Sequence, residues 1–316
     1  MSHLERALEL AERGRGTTHP NPIVGAVVVR DGVVVGEAWH EWKGEPHAET
    51  LALAAAGDAA RGATLYVTLE PCRSWGHTPP CTQAVLDAGV ARVVAGALDP
   101  NPKAGGGLEE LRAGGLEVEV ADGELGFRAR QQNEAWRTWM SLGRPFVSYK
   151  AAVTLDGRMT LPGSRWISGE ASRRRVHELR AHVDAVAVGT GTVRADHPRL
   201  DARGVGAKRQ PRRLAFGHGP LPAGSELELR SGPLEEELPA LAAEGVQSLL
   251  LEGGPTLATA FLRADLIDKL LVFVAPQISG EGPTLFAQGA EPRSLSRLAV
   301  EPVGEDMLLT AYVHEP

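Results

Sequence analysis

The residues best suited to chemistry are Glu45-Pro46-His47-Ala48-Glu49, Pro71-Cys72 and Pro79-Pro80-Cys81. One imidazole and two thiolates make three ligands for Zn²⁺ and leave a fourth position open to water, the mark of a catalytic rather than a structural site. A metal in such a site brings the pKa of water down towards neutrality. Hydroxide generated there attacks an electron-poor carbon. If that carbon carries an amino group, the group must be protonated before it leaves as ammonia. One carboxylate can carry both protons, and Glu49 is the candidate. His47 and Glu49 are two residues apart and cannot share a helix face, so they must approach the metal from the first turn of a helix. Cys81 also falls at a predicted helix start, where the helix dipole and a metal both favour thiolate. Singly, His-x-Glu is an ordinary surface-helix pattern, and a lone cysteine is usually a small buried hydrophobe. The conjunction of Pro-His-Ala-Glu at one helix start, Pro-Cys after a strand and Pro-Pro-Cys at another helix start points to a hydrolytic zinc site.

The elements that must position these residues can be read from periodicity. Leu4, Ala7, Leu8 and Ala11 recur at helical spacing within Met1 to Arg13. Gly14 to Pro22 reads as a turn-rich loop. Ile23 to Val29 and Val33 to Trp39 form two strands joined by Asp31-Gly32, a strong hairpin signal. Pro46 opens a helix through Leu51, Leu53 and Ala56, a place where its missing N–H costs nothing. Thr64 to Leu69 is a strand, a helix begins near Cys81, Arg92 to Leu98 is a strand, and Leu125 to Met140 is one long helix. Ser141 to Pro145 ends that helix and forms the candidate linker. Beyond it a second alternation predicts strands at Phe146 to Val153, Ala185 to Val188, Ser248 to Leu251 and Leu270 to Ala275. Helices are predicted at Ser168 to Ala181 and Thr256 to Ala264. Residues 204–247 give no clear assignment. Alternating strands and helices imply sheets covered by helices, in two domains split near residue 143.

Composition narrows the partners. Lys plus Arg number 33 against 40 Asp plus Glu, and this acidic balance disfavours a nucleic-acid binder. Two cysteines in 316 residues are too few for a secreted disulfide scaffold. No signal peptide is recognisable, and no apolar run reaches the roughly 18–20 residues of a membrane span. A cytoplasmic protein acting on small molecules, without nucleic acid or membrane, is therefore expected. The run Arg173-Arg174-Arg175 reads as a solvated face and receives no function.

His-x-Glu with downstream Pro-Cys and Cys is the pattern of zinc-dependent nucleobase deaminases, and longer segments make the resemblance specific. Thr18 to Val27, Gly44 to Glu49, Thr68 to Cys72, Thr78 to Cys81 and Asp99-Pro100-Asn101-Pro102 resemble the bifunctional riboflavin-biosynthesis deaminase/reductase family. So do Leu155-Asp156-Gly157, Arg165-Trp166-Ile167-Ser168, Gly189 to Asp196, Pro198-Arg199-Leu200 and Leu251 to Thr256. The match runs over nearly the whole chain. It implies a cytidine-deaminase-like three-layer α/β/α domain over 1–143 and a dihydrofolate-reductase-like α/β domain over 144–316. The first would deaminate a diaminopyrimidinone ribosylamine 5′-phosphate with Zn²⁺; the second would reduce the ribosyl group to ribityl with NADPH. Carried over residue by residue, His47, Cys72 and Cys81 hold zinc and Glu49 moves protons. Ala152, Trp166, Thr192, Asp196 and the turn Gly254, Pro255, Thr256, Leu257, Ala258, Thr259 and Ala260 meet the cofactor. Ser164, Arg180, Leu200, Arg203 and Glu252 meet the substrate. Self-association into a homo-oligomer is also expected.

Elementary chemistry supports part of this. Ser248 to Thr256 supplies strand, glycine turn and helix start in the order that suits a phosphate-bearing cofactor, although it is not a Gly-x-Gly-x-x-Gly fingerprint. Arg180 and Arg203 suit a sugar phosphate by charge and fork geometry. The sequence departs from the family in three places. The family loop reads Cys-Ser-His-aromatic-Gly before a Lys or Arg, whereas here it is Cys72-Arg73-Ser74-Trp75-Gly76-His77, with Arg73 positioned to compensate for the lost basic residue. The turn Lys103-Ala104-Gly105-Gly106-Gly107 lacks the usual arginine, and Arg203 to Glu252 is short by several tens of residues. The short region makes a deaminase with a degenerate second domain the principal alternative. A tRNA or DNA deaminase is the other, supported by the zinc pattern and the arginine run but opposed by the acidic balance.

Overall fold

The computed structural model describes residues 1–76 and 79–316, and no helix among them is long and apolar enough to cross a membrane. The chain separates into two compact units, Met1–Leu142 (with the terminal Pro316) and Gly143–Glu315.

The first unit runs α1 (His3–Ala11), β1 (Gly25–Arg30), β2 (Val33–Trp39), α2 (Ala48–Ala56), β3 (Thr64–Val67), α3 (Cys81–Ala88), β4 (Arg92–Ala95), α4 (Gly107–Ala113), β5 (Glu117–Val120), α5 (Gly123–Gln132) and α6 (Glu134–Leu142). Its sheet has the order β2-β1-β3-β4-β5, antiparallel on either side of β1 and parallel from β3 onwards. The β1–β2 hairpin closes on Asp31 and Gly32, both at positive φ, as a primed two-residue turn requires. Alternation along β1 then assigns the faces. Ala26 and Val28 pack with Ala48, Ala52 and Leu53 of α2, while Val27 and Val29 pack with Leu4, Ala7 and Leu10 of α1. Helices on both faces make three layers. At Gly36 an added Cβ would lie 2.3 Å from the Ala52 carbonyl oxygen, so glycine there lets α2 press directly on β2.

Two helical expectations change. The helix after Pro46 begins at Ala48, with His47 as the extended N-cap residue (φ −73°, ψ 162°). Residues 125–140 are two helices, broken at Asn133 (φ −118°). The Asn133 side chain is the reason: its Oδ1 accepts from Ile23 N and its Nδ2 donates to Ile23 O, both at 2.9 Å and buried. This clamp ties the segment entering β1 to the helical layer, and a side chain hydrogen-bonded to backbone competes with helix continuation.

The second unit runs β6 (Phe146–Thr154), α7 (Glu170–His182), β7 (Ala185–Gly189), α8 (Thr190–Asp196), β8 (Arg212–Phe216), β9 (Glu228–Arg230), α9 (Leu234–Ala243), β10 (Ser248–Leu251), α10 (Pro255–Arg263), β11 (Lys269–Ala275), β12 (Ser296–Val303) and β13 (Asp306–Tyr312). The eight strands order as β12-β13-β11-β6-β10-β7-β8-β9. Pairing is parallel from β11 to β9 and antiparallel where β13 joins β11 and β12. Continuous apolar runs such as Ala185-Val186-Ala187-Val188 follow from burial on both faces. Ala185 and Ala187 face α9 and α10, whereas Val186 and Val188 face α7 and α8. The unassigned stretch 204–247 supplies β8, β9 and α9. Arg144 opens the unit with a bidentate pair to buried Asp268 (2.7 Å for each bond), which also accepts from Val147 N.

Candidate active sites

In the first domain the sheet delivers all four predicted residues to one place. His47 precedes α2 and Glu49 lies in its first turn. Cys72 follows β3, and Cys81 is the first residue of α3. The Cys72 carbonyl accepts from Thr82 N at 3.2 Å, holding the loop after β3 against the start of α3. His47 Nδ1 lies 3.1 Å from Cys81 Sγ and 3.6 Å from Cys72 Sγ, and one donor atom from each residue lies within 4.8 Å of the others. Tetrahedral zinc with thiolate and imidazole ligands needs donors about 3.5–3.8 Å apart, so the set fits the ion.

Proton competition in this cluster points the same way. The thiol of Cys81 and the imidazole of His47 hold Cys72 down at about 4. Hydrogen bonding to Cys72 takes His47 up to about 9. Cys81 is pushed up by its neighbour Cys72 and by burial. Two thiolates and a neutral imidazole coexist here only with a cation between them. Glu49 is 3% exposed, its Oε2 lacks a protein partner among the described residues, and burial raises its pKa. A buried carboxylate with a spare oxygen beside a metal is ready to exchange protons with a bound molecule.

A cavity of about 350 Å³ opens over these groups, lined by Asn21, His40, Glu49, Asp99, Asn101 and Trp136 among others. Glu70, which also lines it, is 5% exposed and accepts from Asp99 N (3.0 Å), Gly106 N (3.2 Å) and Leu108 N (2.9 Å). Burial, together with Glu70 and Cys72, raises Asp99 to about 6. His40 meets the His47 ring edge-on at 5.3 Å, and burial lowers its pKa. Sequence reasoning passed over Glu70, Asp99 and His40 as site residues. Glu70 carried a signal, being an acidic residue that directly follows an apolar strand and precedes Pro71-Cys72. His77 falls outside the described residues.

In the second domain Arg180, Glu252, Leu200 and Arg203 come together at the carboxyl side of the parallel strands. Arg180 Nε and Nη2 reach Glu252 at 2.6 and 3.0 Å, and Nη1 donates to Asp201 O at 3.1 Å. Asp201 pairs in turn with Arg203, and Leu200 beside it is buried at φ 53°. Lys150, missed in the sequence, completes the group at 3.1 Å from Glu252. Its signal was a lysine inside the apolar strand Phe146 to Val153. Burial acts to raise Glu252, but Lys150 and Arg180 outweigh it and hold the carboxylate at about 2.

The expected cofactor residues occupy two neighbouring strand-to-helix turns and two further places. Gly189 caps α8, which carries Thr192 and the exposed Asp196; Gly254 caps α10; neither cap has a side-chain hydrogen bond. Space around Gly191 and Gly254 is open to 4 Å, which suits the close approach of a phosphate to backbone N–H groups. Thr256 is exposed, Pro255 and Leu257 are half-buried, and Ala260 is exposed. Ala258 packs in the core, and Thr259 Oγ1 accepts from Ala287 N, so their side chains are committed to the fold. Ala152 sits half-buried on β6. Ser164 Oγ donates to Trp166 O at 2.8 Å, and the Arg165 and Arg173 guanidinium carbons lie 5.2 and 5.3 Å from the centroid of the exposed Trp166 ring.

A converging zinc triad with a buried acid on one α/β domain, followed by a largely parallel sheet with open glycine turns, defines a two-domain protein with a hydrolytic zinc site and a sheet suited to a phosphate-bearing cofactor. Comparison with known proteins agrees. Residues 1–97 match the cytidine and deoxycytidylate deaminase zinc-binding region, and residues 145–222 and 226–309 match the RibD C-terminal domain. The riboflavin biosynthesis protein RibD of Aquifex aeolicus is 41% identical over 98% of this chain and 97% of its own; that of Escherichia coli is 39% identical over 88% of each. The solved structure of Acinetobacter baumannii RibD superposes with a TM-score of 0.84 at 35% identity, covering 98% of this chain and 97% of that one. A Thermotoga maritima diaminohydroxyphosphoribosylaminopyrimidine deaminase/5-amino-6-(5-phosphoribosylamino)uracil reductase gives 0.82 at 34% identity, with the same coverage. This chain belongs to the riboflavin biosynthesis protein RibD family. It is a bifunctional deaminase and reductase that uses zinc and NADPH, with a cytidine-deaminase-like first domain and a RibD C-terminal reductase domain.

Proposed function

We propose that the first domain hydrolytically deaminates 2,5-diamino-6-ribosylamino-4(3H)-pyrimidinone 5′-phosphate and that the second reduces the ribosyl side chain of the product to ribityl. His47, Cys72 and Cys81 would hold zinc, which would supply a water acidic near neutral pH. Glu49 would take a proton from the attacking water and deliver it to the departing amino nitrogen, which leaves as ammonia. Burial suits it to this work, because a carboxylate with a raised pKa binds and releases protons near neutrality. Asp99 and Asn101 line the same cavity, with polar groups for a pyrimidine edge.

In the second domain NADPH supplies hydride. The Gly254–Leu257 turn and the start of α8 hold its phosphates through backbone N–H groups. Glu252, fixed by Lys150 and Arg180, accepts from hydroxyls of the sugar, while Arg180 and Arg203 meet negative charge on the substrate. The same reading makes the protein a cytoplasmic homo-oligomer. Leu298 (68% exposed), Val300 (53%) and Met307 (44%) form an apolar surface on the β12–β13 ribbon that supports self-association, and sedimentation of the full chain tests it.

The observation that carries the proposal is the buried carboxylate of Glu49, with a spare oxygen, beside three converging metal donors. The test is ammonia release and NADPH oxidation by the zinc-loaded chain supplied with the diaminopyrimidinone. Release of ammonia followed by NADPH oxidation is expected. Ammonia without NADPH oxidation would reduce the protein to its first activity.

A further inference from the structure

The substrate proposed for the first domain carries a phosphate, yet the charged groups lining the deaminase cavity are chiefly acidic. Glu45, Glu49, Glu70 and Asp99 line it alongside His40 and His47, with no lysine or arginine among the described lining residues. A dianionic phosphate needs a cation close by.

We infer that Arg73 is the phosphate anchor of the deaminase site and that the turn Ala104 to Gly107 is its seat. Arg73 follows the zinc ligand Cys72 and precedes Ser74, both of which line the cavity. Its backbone N donates to the carbonyl of Ala104, another lining residue, at 3.1 Å. The guanidinium lies over Gly106 (φ +90°), with Nη1, Cζ and Nε 3.1, 3.2 and 3.4 Å from the point a Cβ would occupy. A side chain at 106 would be strained at that φ and would shift the guanidinium by a few tenths of an ångström. The flanking glycines are fixed by other contacts: a Cβ at Gly105 would lie 2.5 Å from Asp99 O, and one at Gly107 would lie 1.8 Å from Pro71 O. The three consecutive glycines thus let the turn pack under Arg73 and against the loop that carries Cys72.

Arg73 is exposed and its guanidinium has no hydrogen bond or ion pair to any described residue, so its N–H fork is available. The nearby cations are less suitable. Arg137 donates to Leu98 O at 2.7 Å, and Lys103 is exposed on the outer side of the turn. An exposed Arg fork resting against Gly106, on a residue whose two chain neighbours line the acid-rich cavity, offers bidentate recognition of phosphate.

This inference rests on the proposed substrate of the first domain, and the experiment separates the two. Ammonia release by the zinc-loaded full chain is measured with the 5′-phosphorylated compound and with its dephosphorylated counterpart. Arg73→Ala is expected to raise KM for the phosphorylated compound roughly tenfold to a hundredfold, the span of one charge-assisted hydrogen-bonded contact. It should leave kcat, zinc content and KM for the dephosphorylated compound unchanged. Gly106→Ala should raise the same KM by displacing the guanidinium, and Arg73→Lys should restore part of the loss. An unchanged KM in Arg73→Ala overturns the inference, as does an equal rise for both compounds, or an effect found in Lys103→Ala instead. Failure of the unaltered protein to deaminate either compound overturns the substrate assignment itself, a separate result.

Discussion

Glu252→Gln provides a quantitative test of the second site. The Glu252 side chain is 7% exposed and is met by Arg180 at 2.6 and 3.0 Å and by Lys150 at 3.1 Å. Its carboxyl is held at about 2, against an ordinary value of 4.5. That separation corresponds to about 3 kcal/mol of folding stability at neutral pH. Neutralising the carboxylate also leaves two cations buried without their counter-charge, a loss of about 3–5 kcal/mol where no relaxation occurs. Because the folded-state value lies below the unfolded one, the contribution is fully present above the ordinary carboxylate range and is lost as pH falls through about 2. About 2 kcal/mol of it should be gone by pH 3. Urea unfolding of both proteins, with the second domain's transition assigned by calorimetry, should show a gap of about 3 kcal/mol at pH 7 that narrows steadily below pH 5. A gap that is absent at pH 7, or constant down to pH 3, would refute the reasoning that the two cations set the energy of this carboxylate.

Glu49→Gln is expected to keep its zinc and lose roughly 10²–10⁴-fold in deamination rate, read as metal content and ammonia release on one sample; full activity would remove Glu49 from the proton path. Cys72→Ser should purify without stoichiometric zinc and unfold at lower temperature, because metal binding is coupled to folding; metal analysis and calorimetry check both. Asn133→Ala should destabilise the first domain by roughly 2–4 kcal/mol, since it strands the buried N–H and C=O of Ile23. An unchanged unfolding midpoint would show that this clamp between the entry to β1 and the helical layer is dispensable.

The zinc ligands were legible because metal chemistry permits few residue types and these stand at two recognisable helix starts and just after a strand. The alternating elements were legible because burial on one or both faces of a sheet leaves a period in the sequence. The boundary at Asn133 was not, since it depends on a distant backbone partner rather than on local propensity. The interruption at Asn133 exists because Ile23, 110 residues away, takes both hydrogen bonds of the asparagine side chain. The stretch 204–247 hid β8, β9 and α9 because its strands are short and are the last two of the sheet, with charged side chains such as Arg212 and Glu228 paired across them.

The sequence by itself determined what kind of chemistry the first domain performs, since three soft or borderline ligands and one spare carboxylate allow little else. It also carried the family likeness of the second domain. Tertiary structure alone decided which charges work together. Lys150, Arg180 and Glu252 come from two strands and a helix that are widely separated along the chain, and Arg73 finds its seat on a glycine 33 residues further along. Electrostatic coupling depends on distance and burial after folding, and neither is written in the spacing of residues along the chain.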